Sequence, residues 1–172
     1  MERALYLNLE RCCGCGACTV ACLDHNDIEI ENQPALRRVY QVEAGSYPEV
    51  SIAYVSAACL HCQDSPCVMG CLTGAIRRHE RTGAVLVDQN LCIGCHSCAM
   101  ACPFGVPRFG KDDKMQKCEL CTDWVEAGLE PACVRVCPIG ALEYKSPNEV
   151  SRAKESAFAQ RITSAAQKGL PA

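Results

Sequence analysis

Seventeen cysteines in a chain of 172 residues dominate the chemistry open to this sequence. This is far above the ordinary use of cysteine in proteins. Sixteen of them form four quartets, two of which read C-x2-C-x2-C-x3-C, while one has x4 and one has x11 at the second spacing. In chain order the quartets are Cys12, Cys15, Cys18 and Cys22; Cys59, Cys62, Cys67 and Cys71; Cys92, Cys95, Cys98 and Cys102; and Cys118, Cys121, Cys133 and Cys137.

Disulfides, zinc and iron–sulfur clusters can each explain so many cysteines. A zinc site usually uses two C-x2-C pairs a dozen or more residues apart. In the first and third quartets, three cysteines instead lie within seven residues. In two-cluster ferredoxins such a loop binds one cluster, while the fourth cysteine binds the other and is often followed by proline. Pro103 and Pro138 keep that proline, whereas leucine follows Cys22 and Cys71. The spacing favours four [4Fe–4S] clusters, with a zinc-binding structural module as a remote alternative.

An internal repeat relates the quartets to one another. The first and third quartets lie at a constant offset of 80 residues, and the second and fourth end in similar tails, 71–76 and 137–142. The remaining cysteine, Cys13, aligns with Ile93, which predicts a small buried apolar residue rather than a ligand.

Two histidines, His61 and His96, lie inside the predicted cluster loops. Either side chain could donate a hydrogen bond towards a cluster sulfur and raise the reduction potential. The simpler interpretation is that each is a surface loop residue.

Short elements must position the quartets. Apolar alternation predicts strands at residues 5–9 and 85–88, before the first and third quartets. Residues 38–43 and 50–55 also alternate and predict a hairpin with a turn over 44–49. The prolines and glycines of residues 103–117 predict a loop.

A C-terminal helix is predicted for residues 147–168. Pro147 suits the first helical position, and Gly169 and Pro171 would end the helix. An apolar face could pack on its own domain or on a partner; it comprises Val150, Ala153, Ala157, Phe158, Ile162 and Ala165.

Composition excludes several classes of function. The formal net charge of −3 lacks the excess of basic residues that is typical of nucleic-acid-binding proteins. No stretch approaches the roughly 18 apolar residues of a spanning helix, so no direct membrane insertion is expected. No signal sequence precedes Cys12, so we expect a cytoplasmic protein, with export alongside a signal-bearing partner as an open alternative. Neither a dinucleotide fingerprint nor a phosphate loop is present. Four cysteines for each cluster leave no iron site open to a substrate, which predicts a non-catalytic protein that transfers single electrons.

The order and spacing of the four quartets resemble the iron–sulfur subunits of the dimethyl-sulfoxide-reductase family over residues 3–145. Residues 117–121 and 131–138 are similar to that family as well. The resemblance implies an α+β fold of two ferredoxin-like 2×[4Fe–4S] modules in pseudo-two-fold arrangement, with short strands, short helices and a C-terminal helix. The implied units are 1–25 plus 112–146 (first and fourth quartets), 50–111 (second and third quartets), a connector and hairpin over 26–49, and a C-terminal helix and tail over 147–172.

The resemblance also implies which cysteines share a cluster, because each quartet lends its fourth cysteine to a neighbouring cluster. All cysteines of the third quartet are present, so four complete cubes are expected. By this carry-over, cluster 1 takes Cys12, Cys15, Cys18 and Cys137; cluster 2 takes Cys22, Cys118, Cys121 and Cys133; cluster 3 takes Cys59, Cys62, Cys67 and Cys102; and cluster 4 takes Cys71, Cys92, Cys95 and Cys98.

The same resemblance implies a large catalytic partner with a molybdenum or tungsten pterin cofactor. A flavin subunit or a soluble ferredoxin could exchange electrons with the complex. The short extension after the last quartet is closer to the small subunit of tungsten aldehyde oxidoreductases than to membrane-anchored relatives. A component of a hydrogenase or formate dehydrogenase complex, or a free polyferredoxin, is the alternative.

Overall fold

The computed structural model describes residues 3–168, with side chains as far as residue 164. It is a small mixed structure of short strands and short helices with one long C-terminal helix. The strands are β1 (Ala4–Leu7), β2 (Arg38–Ser46), β3 (Glu49–Ala57), β4 (Ile76–Arg78), β5 (Val85–Val87), β6 (Arg108–Phe109), β7 (Met115–Gln116) and β8 (Leu142–Lys145). The helices are α1 (Ala17–His25), α2 (Pro66–Met69), α3 (Ser97–Ala101), α4 (Thr122–Glu126), α5 (Ala132–Arg135) and α6 (Pro147–Lys168).

Two of the small sheets join segments that are distant in sequence or flank different quartets. β1 pairs antiparallel with β8, so that Leu7 lies opposite Leu142. β4 pairs antiparallel with β5, so that Ile76 lies opposite Val87. In each sheet, a strand that precedes a C-x2-C-x2-C loop pairs with a strand that follows the tail of another quartet. The helices follow the same scheme, since α1 contacts α5 and α2 contacts α3.

The hydrophobic core is divided into small clusters that include cysteines. One cluster contains Ile76, Val85, Cys98 and Met115, and another contains Cys18, Cys133 and Leu142. A third contains Ala84, Leu120 and Tyr144. Burying one large aliphatic side chain contributes about 1.5–3 kcal/mol, and these clusters hold few such side chains. The cysteine sites are therefore part of the interior rather than additions to it.

The predicted hairpin is present, and it is longer than expected. β2 and β3 pair over nine residues each, from Arg38 opposite Ala57 to Ser46 opposite Glu49. The strands extend into the segment predicted as a turn, which is reduced to Tyr47 and Pro48. Most of the distal half is exposed, and Tyr47 is 92% exposed.

Residues 103–117 are not wholly a loop, because β6 and β7 pair there as a short hairpin. The strand predicted at 5–9 begins at Ala4 and ends at Leu7. Its alternation continues past Leu7, but the paired register ends at Leu7 and Leu142, beyond which the Asn8 N–H still donates to the Ala141 carbonyl at 2.8 Å.

The C-terminal helix has the predicted bounds, from Pro147 to Lys168. Its start is a capping box in which Glu149 accepts the backbone N–H of Ser146 at 2.7 Å, while the Ser146 hydroxyl accepts the Glu149 N–H at 3.3 Å. Val150 is half-buried and all side chains of residues 151–164 are exposed. Packing of the apolar face on its own domain is thus wrong for these residues. The predicted stop residues, Gly169 and Pro171, and the side chain of Ala165 lie outside the described part.

No helix within residues 3–168 combines the length and the apolar character needed to cross a bilayer.

Candidate metal centres

A cavity at the N-terminus of α1 brings together the four cysteines predicted for cluster 1. Its walls come from the loop before α1, from β3 and from the segment between α5 and β8. The Ala141 backbone N–H donates to Cys137 Sγ at 3.2 Å and fixes the most distant member. The cysteines that line this cavity are Cys12, Cys13, Cys15, Cys18 and Cys137.

A second cavity brings together the four cysteines predicted for cluster 2. Asn26 and Arg37 also line it. The packing of α1 against α5 places the C-terminal turn of α1 beside the fourth quartet. The cysteines that line this cavity are Cys22, Cys118, Cys121 and Cys133.

Four of the eight cysteines predicted for clusters 3 and 4 lie around the core of the β4–β5 sheet. Cys67, Cys71 and Cys92 pack against the core that contains buried Cys98. Burial raises the pKa of Cys67, and neighbouring Cys102 acts in the same direction.

The exposed thiol of Cys95 lies within electrostatic range of Cys71. Hydrogen bonding from Ser97 lowers the pKa of Cys95, and Cys71 acts in the opposite direction. Cys62 lies in the loop between Cys59 and Cys67, where its carbonyl accepts a hydrogen bond from Arg78 at 2.8 Å.

All four cysteine loops share one backbone turn. The residue before the second cysteine of each quartet has a positive φ, namely 73° at Gly14, 48° at His61, 66° at Gly94 and 63° at Leu120. The backbone N–H of His61 donates to Cys59 Sγ at 3.4 Å, and that of Leu120 donates to Cys118 Sγ, also at 3.4 Å. Hydrogen bonds to ligand sulfurs are a determinant of cluster potential. Non-glycine residues persist in this conformation only where the surroundings enforce it.

Burial makes three of the thiols poor nucleophiles and poor anions when no cluster is bound. It raises the pKa of Cys22 to about 12 and the pKa values of Cys59 and Cys121 to about 11. A thiolate at these positions requires a bound cation, because the ligand must lose its proton on metal binding. Thiolates are soft ligands, and a donor set made of them fits an iron–sulfur cluster. Among residues 3–168, no three His, Cys, Asp or Glu side chains form a group that would hold a metal ion directly, so the fit rests on the two cavities and their thiols.

The two loop histidines differ in their surroundings. His61 is half-buried, so its prediction as a surface loop residue is wrong. Its Nδ1 accepts the Val85 N–H at 2.9 Å, and its Nε2 is buried without a hydrogen-bond partner in the described structure. Burial, with Lys117 and Arg37 nearby, lowers the pKa of His61 to about 3. His96 is exposed and stacks on Phe109, with ring centroids 3.9 Å apart.

The prediction that Cys13 is buried is also wrong. Cys13 is exposed, although it borders the first cavity. Its counterpart Ile93 is 68% exposed. The alignment thus matched two equivalent positions, and the error was to take an apolar residue as a buried one.

Three buried polar residues near these sites were not identified from the sequence. Arg37 and Lys117 are each 3% exposed, and Ser56 is 8% exposed. Arg37 is followed by a second arginine, and two adjacent arginines are typical of a solvent-exposed segment. Lys117 directly precedes Cys118, and this was the one available signal.

Comparison with known proteins agrees with this chemistry. Residues 50–146 match the family model described as a 4Fe-4S dicluster domain. The protein is 36% identical over 160 residues to the B subunit of anaerobic dimethyl sulfoxide reductase of Escherichia coli (strain K12), covering 88% of this sequence and 77% of the relative. It is 42% identical over 140 residues to the thiosulfate reductase electron transfer subunit PhsB of Salmonella typhi, covering 78% and 71%. It is 34% identical over 176 residues to the nitrate-inducible formate dehydrogenase iron-sulfur subunit of E. coli, covering 92% and 59%.

Proposed function

Since this protein belongs to the family of iron–sulfur electron-transfer subunits that includes the B subunit of dimethyl sulfoxide reductase, we propose that it relays single electrons through four [4Fe–4S] clusters for a catalytic partner. The protein is itself a non-catalytic subunit of an oxidoreductase complex. The observation that carries the proposal is the pair of cavities, each lined by three cysteines of one quartet and the fourth cysteine of another.

The proposed ligand sets are those implied by the family. For clusters 1 and 2, the thiols that line the two cavities support the exchange of Cys22 and Cys137 between the first and fourth quartets. For clusters 3 and 4, the support is the packing of Cys67, Cys71, Cys92 and Cys98 around one core. When bound, the clusters supply one-electron redox chemistry, and the thiols hold them in place.

We also propose the two-module arrangement. Residues 1–25 and 112–146 form one module, and residues 50–111 form the other, related by a pseudo-two-fold axis. The matching of β1–β8 with β4–β5, and of the α1–α5 contact with the α2–α3 contact, supports this division. Residues 26–49 then connect the modules, and residues 147–172 form a tail.

Neighbouring thiols support a linear order of the four sites. Cys18 and Cys133 belong to one buried core cluster, which relates the sites of clusters 1 and 2. Burial raises the pKa of Cys59, and Cys118 acts in the same direction, which relates the sites of clusters 2 and 3. The shared core around Cys98 and Cys67 relates clusters 4 and 3. In the order 1, 2, 3, 4, clusters 2 and 3 are the inner clusters.

The proposed partner is a large subunit with a molybdenum or tungsten pterin cofactor. The names of the relatives, which include reductases of dimethyl sulfoxide and thiosulfate, support a partner of this class. Isolation of the native complex tests the proposal, and recovery of the protein without a pterin-containing subunit would favour a free polyferredoxin.

Replacing Cys137 tests the exchange of ligands between quartets. Cys137→Ser should alter cluster 1 and leave clusters 2, 3 and 4 intact, because its sulfur lies on the first cavity. Iron and acid-labile sulfide should fall by at most about a quarter if four cubic clusters are present. The electron paramagnetic resonance (EPR) spectrum should match that of Cys12→Ser.

Two further variants make the result decisive. Cys13→Ser is the matched control and should retain all four clusters. A Cys137→Ser spectrum that instead matches that of Cys121→Ser would refute the exchanged pairing.

A further inference from the structure

Two cations, Arg37 and Lys117, lie in the interior and form no ion pair with a carboxylate of the described residues. Arg37 Nη1 donates to the Ser56 hydroxyl at 2.9 Å and to the Ser56 carbonyl at 3.4 Å. Lys117 Nζ donates to the Val85 carbonyl and, at 2.9 Å, to the Cys118 carbonyl. All these acceptors are neutral. Within residues 3–168, the ion pairs involve neither cation.

A buried charge is costly unless an opposite charge offsets it. Arginine cannot escape this cost by losing its proton, because a guanidinium group stays protonated in proteins. Negative charge must therefore lie close to Arg37. Lysine can lose its proton on burial, so a charged Lys117 likewise requires negative charge nearby. The residues that would supply it are the ligand cysteines, as thiolates.

The two cations lie at the inner sites. Arg37 lines the cavity that contains all four cysteines of cluster 2, and it lines a second cavity with only one cysteine of cluster 3, Cys59. Lys117 donates to the Val85 carbonyl, and the Val85 N–H donates at 2.9 Å to His61 Nδ1, in the loop between the first two cysteines of cluster 3. On this geometry we assign Arg37 to cluster 2 and Lys117 to cluster 3.

We propose that Arg37 and Lys117 are the built-in counter-charges of the inner clusters, Arg37 for cluster 2 and Lys117 for cluster 3, and that each raises the reduction potential of its cluster. Reduction makes a cluster more negative, so a nearby positive charge stabilises the reduced form more than the oxidised form. This inference rests on the proposed function and adds the residues that tune the two inner sites.

The test compares charge-removing and charge-keeping variants of the full-length protein with its clusters in place. Arg37→Gln and Lys117→Gln keep an N–H donor for the existing carbonyl or hydroxyl acceptors but remove the charge. Arg37→Lys and Lys117→Arg keep the charge. Lys111→Gln, at an exposed lysine, is the control for net charge.

An EPR-monitored redox titration should resolve the effect. Arg37→Gln should lower one midpoint potential by about 59 mV, which is a tenfold change in the equilibrium constant of one-electron reduction. Lys117→Gln should lower a different one by a similar amount. Lys111→Gln should leave all four potentials unchanged, and the charge-keeping variants should stay close to the unmodified protein.

Several results would overturn the inference. Unchanged potentials in both glutamine variants would do so, as would an equal shift of all four that Lys111→Gln reproduces. If Arg37→Gln loses a cluster, its EPR spectrum must match that of Cys121→Ser, and if Lys117→Gln loses one, its spectrum must match that of Cys62→Ser. In either case the charge-keeping variant must retain the cluster. Any other pattern contradicts it. Absence of cubic-cluster signals from the unmodified protein would instead refute the proposed function.

Discussion

The hydroxyl of Ser56 connects a buried cation to a predicted cluster ligand. Its oxygen accepts an N–H from Arg37 at 2.9 Å and lies 3.2 Å from Cys18 Sγ. Because a guanidinium can only donate, the Ser56 proton is free to point at the sulfur. Arg37 therefore orients a hydrogen bond towards the cluster 1 site while its charge faces the cluster 2 site.

Removing this hydroxyl should lower the potential of cluster 1. Ser56→Ala deletes a donor to the Cys18 thiolate, and a hydrogen bond to a charged group contributes about 1.5–3 kcal/mol, which sets an upper bound on the change. Redox titration followed by EPR measures it. Ser56→Thr keeps the hydroxyl and should retain the potential, and an equal fall in both variants would argue against the hydrogen bond.

At the scale of elements, the repeated cysteine loop shows how backbone conformation constrains the sites. Gly94 lies within the third quartet and has a positive φ. A Cβ added at Gly94 would be 2.6 Å from the Asp113 carbonyl oxygen. That contact comes from the turn between β6 and β7, so two separate segments enclose the loop. Gly14 is enclosed in a similar way, because a Cβ added there would overlap the ring of Tyr54.

Gly94→Ala should impair assembly of cluster 4. The added methyl group meets backbone that cannot easily move, in addition to the roughly 1 kcal/mol cost of a left-handed alanine. Iron content and thermal unfolding measure the effect. Gly128→Ala is the control, because Gly128 has a φ of 81° with open space around it and lies outside the third quartet, in the long spacer of the fourth. Equal iron loss in both variants would attribute the effect to backbone strain alone.

The local pattern was sufficient to predict the quartets, the hairpin and α6, because cysteine spacing, alternation and capping are properties of short segments. It could not reveal which polar residues are buried. Lys117 is enclosed because β5 approaches it from another part of the sequence, and His61 is enclosed for a similar reason through Val85. Such burial depends on packing between distant segments, which periodicity does not encode.

At the scale of the whole molecule, the interior is held together largely at the cysteine sites. Five of the proposed ligands are buried, namely Cys18, Cys22, Cys98, Cys118 and Cys133. The three apolar clusters are small and separate. Metal–ligand bonds at these positions would act as staples for a core that apolar packing leaves weak.

Removing iron should therefore unfold the molecule. Anaerobic treatment with a chelator is expected to abolish the cooperative thermal transition and most of the far-ultraviolet circular dichroism signal. Resupply of iron with sulfide should restore both, whereas zinc alone should not. An apoprotein that retains the native transition would show that the apolar clusters suffice.

The pairing of β1 with β8 has a consequence for biosynthesis. A ribosome delivers residues 59–102 in one continuous stretch, so every thiol proposed for clusters 3 and 4 emerges before Cys118 has been translated. The sites that draw on Cys12 and Cys22 stay incomplete until the fourth quartet follows, and only then can residues 4–7 meet residues 142–145. The order of translation thus allows clusters 3 and 4 to be inserted before clusters 1 and 2.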